Sequence, residues 1–162
     1  MTELELVRHA AEAAREWRER KMKELFDAGC NDLSFRPSFG MSSFGWLLAH
    51  QAAIYDFSIN VLVRRKGIKN TKMFEAYKPG TSGDWDGTPI EEIQEYYDSM
   101  ERSVFGWVES ADLVDLDRVI KEGEAPPFFV GMSVRRVLAT MFTHINAHSG
   151  HYDALRHAWV TK

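Results

Sequence analysis

Cysteine is nearly absent: Cys30 is the only one in 162 residues. A lone thiol excludes an intramolecular disulfide and fits a reducing compartment. It follows Asp27-Ala28-Gly29, so it reads as a small residue in a turn. Long apolar runs are missing as well, and none approaches the roughly 18 residues that cross a bilayer. The opening stretch, MTELELVRHAAEAAREW, mixes acids with bases and lacks the cationic start and apolar stretch of a secretory signal. These absences predict a cytoplasmic protein with no membrane partner. Neither charge dominates: 20 basic against 24 acidic residues give a net charge of -4. That balance provides no electrostatic reason for a nucleic-acid partner. The cluster Arg64-Arg65-Lys66 reads as a solvated helix end, where positive charge complements the helix dipole.

What is present is ordinary globular material, 44% hydrophobic and 12% aromatic. The length suits one domain over 1–162, with no internal repeat or low-complexity tract. Thr2 and Glu5 form a capping-box pattern, and Val7, Ala11, Ala14, Trp17 and Leu25 recur at helical spacing up to about Phe26. Ser42 or Ser43 can cap a second helix. Its inward stripe is Trp46, Leu47, His50, Ile54, Phe57 and Val61, ending near Gly67. The next twenty residues hold Pro79, Gly80, Gly83 and Gly87, show no persistent period and read as a long crossover. Thr88-Pro89-Ile90-Glu91 predicts a third helix start, with threonine as cap, proline in the first turn and glutamate closing the box. Ile93, Tyr97, Met100, Val104 and Trp107 carry that helix to Ser110. Residues 111–132 form a second long connection, since Ala125-Pro126-Pro127 cannot continue a helix. Phe128, Phe129 and Val130 are available there for a short extended piece or a pocket cover. Ser133 opens the last helix. The expected fold is all-α, a four-helix bundle with long crossover connections.

The histidines carry the chemistry. His144 and His148 stand four residues apart, about one turn, and continue the Val137–Met141 stripe towards Leu155. Both therefore point inward, where a neutral imidazole needs a hydrogen-bond or metal partner. His50 sits on the inward stripe of the second helix, and bundle geometry can bring its ring to the other two. Three imidazoles with open positions make a catalytic-type site that zinc, nickel and iron all accept. The plainer alternative is that these rings only pack and hydrogen-bond. His151, three residues past His148, is open to three roles: fourth ligand, orienting partner of a ligand, or proton-transfer group. His9 and His157 lie near helix ends as surface or packing residues. Asp56 falls ~240° around the helix from His50, off the ligand face. Asp84, Asp86 and Arg36 read as solvated loop or surface-pairing residues.

Two segments resemble the DinB/YfiT-like metalloprotein superfamily, which includes bacterial thiol transferases and mycothiol-dependent maleylpyruvate isomerases. Ser42 to His50, SSFGWLLAH, is similar to that family's small-x-x-x-W-L-x-x-H segment on the second helix. His144 to Gly150, HINAHSG, is similar to its H-x-x-x-H-x-G arrangement on the fourth. Many members carry arginine, glycine and glutamine after the second of those histidines, whereas this chain has Ser149, Gly150 and His151. The ending GHYDALR looks more like the branch common in actinobacteria. The resemblance implies a metal held by His50, His144 and His148, a homodimer formed through the bundle helices, and a small-molecule substrate. It also implies a divalent-metal-dependent thiol transferase or isomerase, in which a low-molecular-weight thiol adds to a small electrophile; from its position alone, His151 is the proton-transfer candidate for that chemistry. A metal-dependent hydrolase and a non-enzymatic metal-binding, stress-response or ligand-binding module are the alternatives.

Overall fold

In the computed structural model, which describes residues 1–162, the Thr2–Glu5 capping box forms as expected and opens α1 (Glu3–Asp27). Ala11, Ala14, Met22 and Leu25 form its buried stripe. Trp17 departs from the expected stripe: it is largely exposed, under the guanidinium of Arg20. Ser43 is the residue that caps α2 (Phe44–Tyr55), its hydroxyl accepting from the Trp46 amide. Every α2 residue except Ile54 is buried, so this helix is the spine of the core. Gly45 allows that burial, because a Cβ there would sit 2.6 Å from the Trp85 ring, which folds across α2 from the following crossover.

After Tyr55 the helix widens into a π-helical segment (Asp56–Val63). The crossover expected to lack regular structure contains a further helix, α3 (Thr71–Tyr77), capped by the Asn70 side chain. Seven residues are too few for a periodic pattern to emerge from sequence. Four donors converge on the fully buried carboxylate of Asp56: Asn60 Nδ2, the Tyr96 hydroxyl and the amides of Lys69 and Asn70. This carboxylate fastens the start of α3 to the π segment.

The next start also differs from expectation. Thr88 does not cap α4 (Ile90–Ser110), and no side chain does. Its amide and hydroxyl both bond Asp86, which also accepts from Tyr77. Asp86 is thus an organiser of the crossover, although its sequence setting suggested a free loop residue. Asp84 pairs with Arg36, a surface partnership of the kind expected for that arginine. The second connection contains the short α5 (Leu113–Asp117) and a 3-10 turn (Pro127–Phe129). Ser133 caps α6 (Val134–Val160) as expected.

The four long helices close a ring of packing, α1 on α6, α6 on α2, α2 on α4, and α4 on α1. The protein is an all-α bundle without β-strands, apart from one isolated bridge between Val119 and Ser133. No helix is long and apolar enough to cross a membrane. Within the ring, α2 touches α4, α6 and α3, so a side chain on α2 can meet partners from all three.

Candidate metal centre

His50 is buried on α2, with its ring stacked on Trp46 at a centroid distance of 4.2 Å and an interplanar angle of 12°. Its Nδ1 lies 2.7 Å from the carbonyl oxygen of Tyr77, the last residue of α3. A carbonyl only accepts, so Nδ1 carries the proton and donates. In the neutral ring Nε2 is then a bare lone pair. The indole of Trp46 is fixed in turn by donation to the Thr81 hydroxyl at 2.8 Å. The small helix that sequence periodicity did not reveal therefore sets the tautomer of His50, and the tryptophan of the W-L-x-x-H segment sets its plane.

His144 and His148 reach the same point from α6. His144 Nε2 stands 3.0 Å from His50 Nε2 and 2.9 Å from His148 Nε2. One nitrogen from each of the three rings lies within 4.8 Å of the other two. The structure thus brings together His50, His144 and His148, and leaves His151 outside the converging set. The exposed His151 sits behind His148, with the two Nδ1 atoms 3.0 Å apart. Asp56 is engaged in the latch described above. Asp84, His9 and His157 are likewise not members of the cluster, and Cys30 is a buried thiol at the end of α1.

The donor set fits a cation. His144 Nε2 is close to two other Nε2 atoms, and one proton on it cannot lie squarely in both contacts. With His50 fixed as a lone-pair donor, any arrangement of protons leaves one contact poorly satisfied, whereas a metal ion accepts from all three rings. Two imidazole nitrogens bound at ~2.1 Å stand ~3.0–3.4 Å apart for bond angles between octahedral and tetrahedral. The observed spacing is at the short end of that range. A histidine-based site capable of coordinating a metal ion is present.

Electrostatics favour the ligating form. Burial, with His144 adding to it, lowers His50 to about 4 despite the opposing bond to Tyr77. Burial and the neighbouring His144, His50 and His151 lower His148 to about 3, and burial followed by His151 lowers His144. All three rings are neutral at pH 7, as metal ligands must be. The sign for stability follows. Unfolded histidine titrates near 6.5, so between about 4 and 6.5 the unfolded chain binds protons that folded His50 does not. The contribution of this ring is complete above 6.5 and is lost as pH falls. Glu101 acts in the opposite direction, because burial raises it to about 7. Comparing metal-free wild type with His50→Gln cancels that common effect. Urea titrations at pH 7 and pH 5 are expected to show wild type losing up to ~2 kcal/mol more stability than the variant. Equal losses would contradict the assignment.

Two cavities lie nearby, and the first of them is lined by a cluster histidine. One, of about 570 Å³, is lined by His144 with aromatic and aliphatic side chains; the other, of about 210 Å³, is lined by His151 with Ser42, Leu47 and Leu155. Among families of known proteins, the model of the DinB superfamily matches residues 14–151. No curated protein and no solved structure matches the chain.

Proposed function

The chain belongs to the DinB superfamily, and from that premise we propose that it is a divalent-metal-binding protein that presents its ion to a small molecule. His50, His144 and His148 are the ligands, zinc is the first candidate, and nickel and iron suit the same donors. The convergence of three neutral imidazoles carries this reading. Two of the ligands have supports of their own. His50 is oriented by Tyr77 and Trp46, and His148 can donate its Nδ1 proton to His151, leaving Nε2 for the ion. His151 is then an orienting partner of the kind that keeps ligand geometry. Being exposed, it can also exchange that proton with solvent.

A second reading makes the protein an enzyme. The cavity lined by His144 supports it, since it gives a small molecule access to the cluster. In that form a low-molecular-weight thiol and an electrophile meet at the ion. A bound divalent ion would supply the positive charge that keeps a thiol ionised at neutral pH. His151 would move the proton released from the thiol. The homodimer implied by the sequence resemblance belongs to the same proposal.

Elemental analysis after zinc reconstitution and gentle desalting tests the first reading, with one ion per chain expected. No retained ion in wild type would overturn it. For the second reading, zinc-loaded protein is mixed with 1-chloro-2,4-dinitrobenzene with and without a cellular thiol such as cysteine. Loss of chloride and formation of the thioether should be faster with protein and thiol together than with either alone. His148→Ala should remove the gain. Stoichiometric zinc with no acceleration would leave a binding protein and exclude thiol transfer to this electrophile.

A further inference from the structure

The cavity beside His144 has a composition that selects its occupant. Its volume, about 570 Å³, lies in the ~300–1,000 Å³ range of small-molecule sites. Three half-buried phenylalanines from three elements form one wall: Phe57 of the π segment, Phe74 of α3 and Phe129 of the 3-10 turn. Phe57 and Phe74 are stacked at 5.9 Å and 19°, and Phe129 meets Phe57 at 5.4 Å and 59°. Pro126 and Pro127 precede Phe129 and restrict the backbone, so this wall is set before anything binds. Aromatic faces already arranged in stacked and tilted geometry favour another flat ring.

Charge gives the occupant a second property. Among the residues lining the cavity, Lys78 is the one permanent charge. Its ion-pair partner, Glu75, lies three residues away and both side chains are substantially solvated. Such an exposed pair is worth ~0–1 kcal/mol, so Lys78 can exchange Glu75 for an anion on a ligand at little cost. His144 lines the same space, which places the bound molecule against the cluster.

We propose that this cavity binds a small aromatic acid, with its ring against Phe57, Phe74 and Phe129 and its carboxylate paired with Lys78. The inference rests on the metal-centre reading for its position beside a reactive ion, and it adds the class of molecule delivered there. The probe is 1-naphthoate, titrated by fluorescence into the full chain, zinc-loaded and metal-free. Saturable binding of one naphthoate per chain is expected. Phe129→Ala, at a partly exposed turn, should weaken it about tenfold, the equivalent of one lost aromatic contact. Lys78→Gln should weaken naphthoate about fivefold and leave neutral 2-naphthalenemethanol unchanged, as loss of one solvent-exposed ion pair requires. Helical circular dichroism and zinc stoichiometry should be those of wild type in both variants.

Absence of naphthoate binding while zinc binds normally overturns this inference alone. Binding that neither variant weakens overturns it as well, because the ring would lie elsewhere. Naphthoate binding with both losses but without zinc uptake supports the aromatic-acid site and removes the metal-centre reading.

Discussion

Replacing His144 with alanine is expected to abolish retention of zinc while leaving the metal-free bundle folded. His144 is the middle ring of the three, its Nε2 lying 3.0 Å from His50 Nε2 and 2.9 Å from His148 Nε2. Without it, one ligand on α2 and one on α6 remain, with no nitrogen between them. Loss of an orienting partner alone typically costs ~10–100-fold in metal affinity, and loss of a ligand should exceed that. Saturating zinc at a hundred times its dissociation constant should stabilise wild type by ~2.7 kcal/mol. The variant should gain almost nothing. The half-exposed His144 ring makes no backbone hydrogen bond with its side chain, so its removal should leave metal-free unfolding near that of wild type. Urea unfolding of both proteins, with chelator and with zinc, measures all four stabilities. Equal stabilisation of wild type and variant by zinc would place the ion elsewhere.

Asp56→Ala should instead damage the fold first and the site through it. The carboxylate is fully buried and accepts from Asn60, Tyr96 and the amides of Lys69 and Asn70. Alanine leaves those donors buried or half-buried without an acceptor, at ~1–3 kcal/mol for each that finds no water. A total loss of ~3–5 kcal/mol is expected, a large fraction of the ~5–15 kcal/mol that holds a domain together. The damage should reach the histidines by a traceable route. Asn70 caps α3, and Tyr77 ends α3 and accepts the His50 proton. Loosening the start of α3 frees the His50 ring to rotate about its stack on Trp46. At temperatures where the variant is still folded, its zinc affinity should therefore fall about tenfold or more, the effect of losing an orienting contact. Asp56→Asn keeps one acceptor oxygen and should have an intermediate effect on both readouts. Unchanged denaturation of Asp56→Ala would show that water replaces the carboxylate. Reduced stability with unchanged zinc affinity would show that α3 does not control His50.

The two expected results differ because the residues announce themselves differently. His144 and His148 are legible in the sequence, since their four-residue spacing and the apolar stripe around them put both rings on one inward face. His50 is legible only from the apolar run around it, because its helix is buried nearly all round and the expected stripe residues Ile54, Phe57 and Val61 are half-buried. Asp56, on the far side of that helix, offers only its charge, and its role depends on amides thirteen and fourteen residues away. Thr88 is the opposite case. Its sequence setting is a clean helix start, yet Asp86 takes both its hydroxyl and its amide, so local competition for one side chain decided against the cap.

By itself, then, the sequence determined the four long helices, the caps at Thr2 and Ser133, and the inward face of the last helix that bears His144 and His148. These follow from repeats and capping patterns within a few residues, which a linear reading contains. Tertiary structure alone decided that the rings meet with their nitrogens converging, that Tyr77 fixes the proton on His50, and that His151 stands behind His148. It also decided that a wall of phenylalanines from three elements encloses space beside His144. Each of these depends on how helices cross and where short connecting segments lie. Those are set by packing between residues remote in the chain, which no local period encodes.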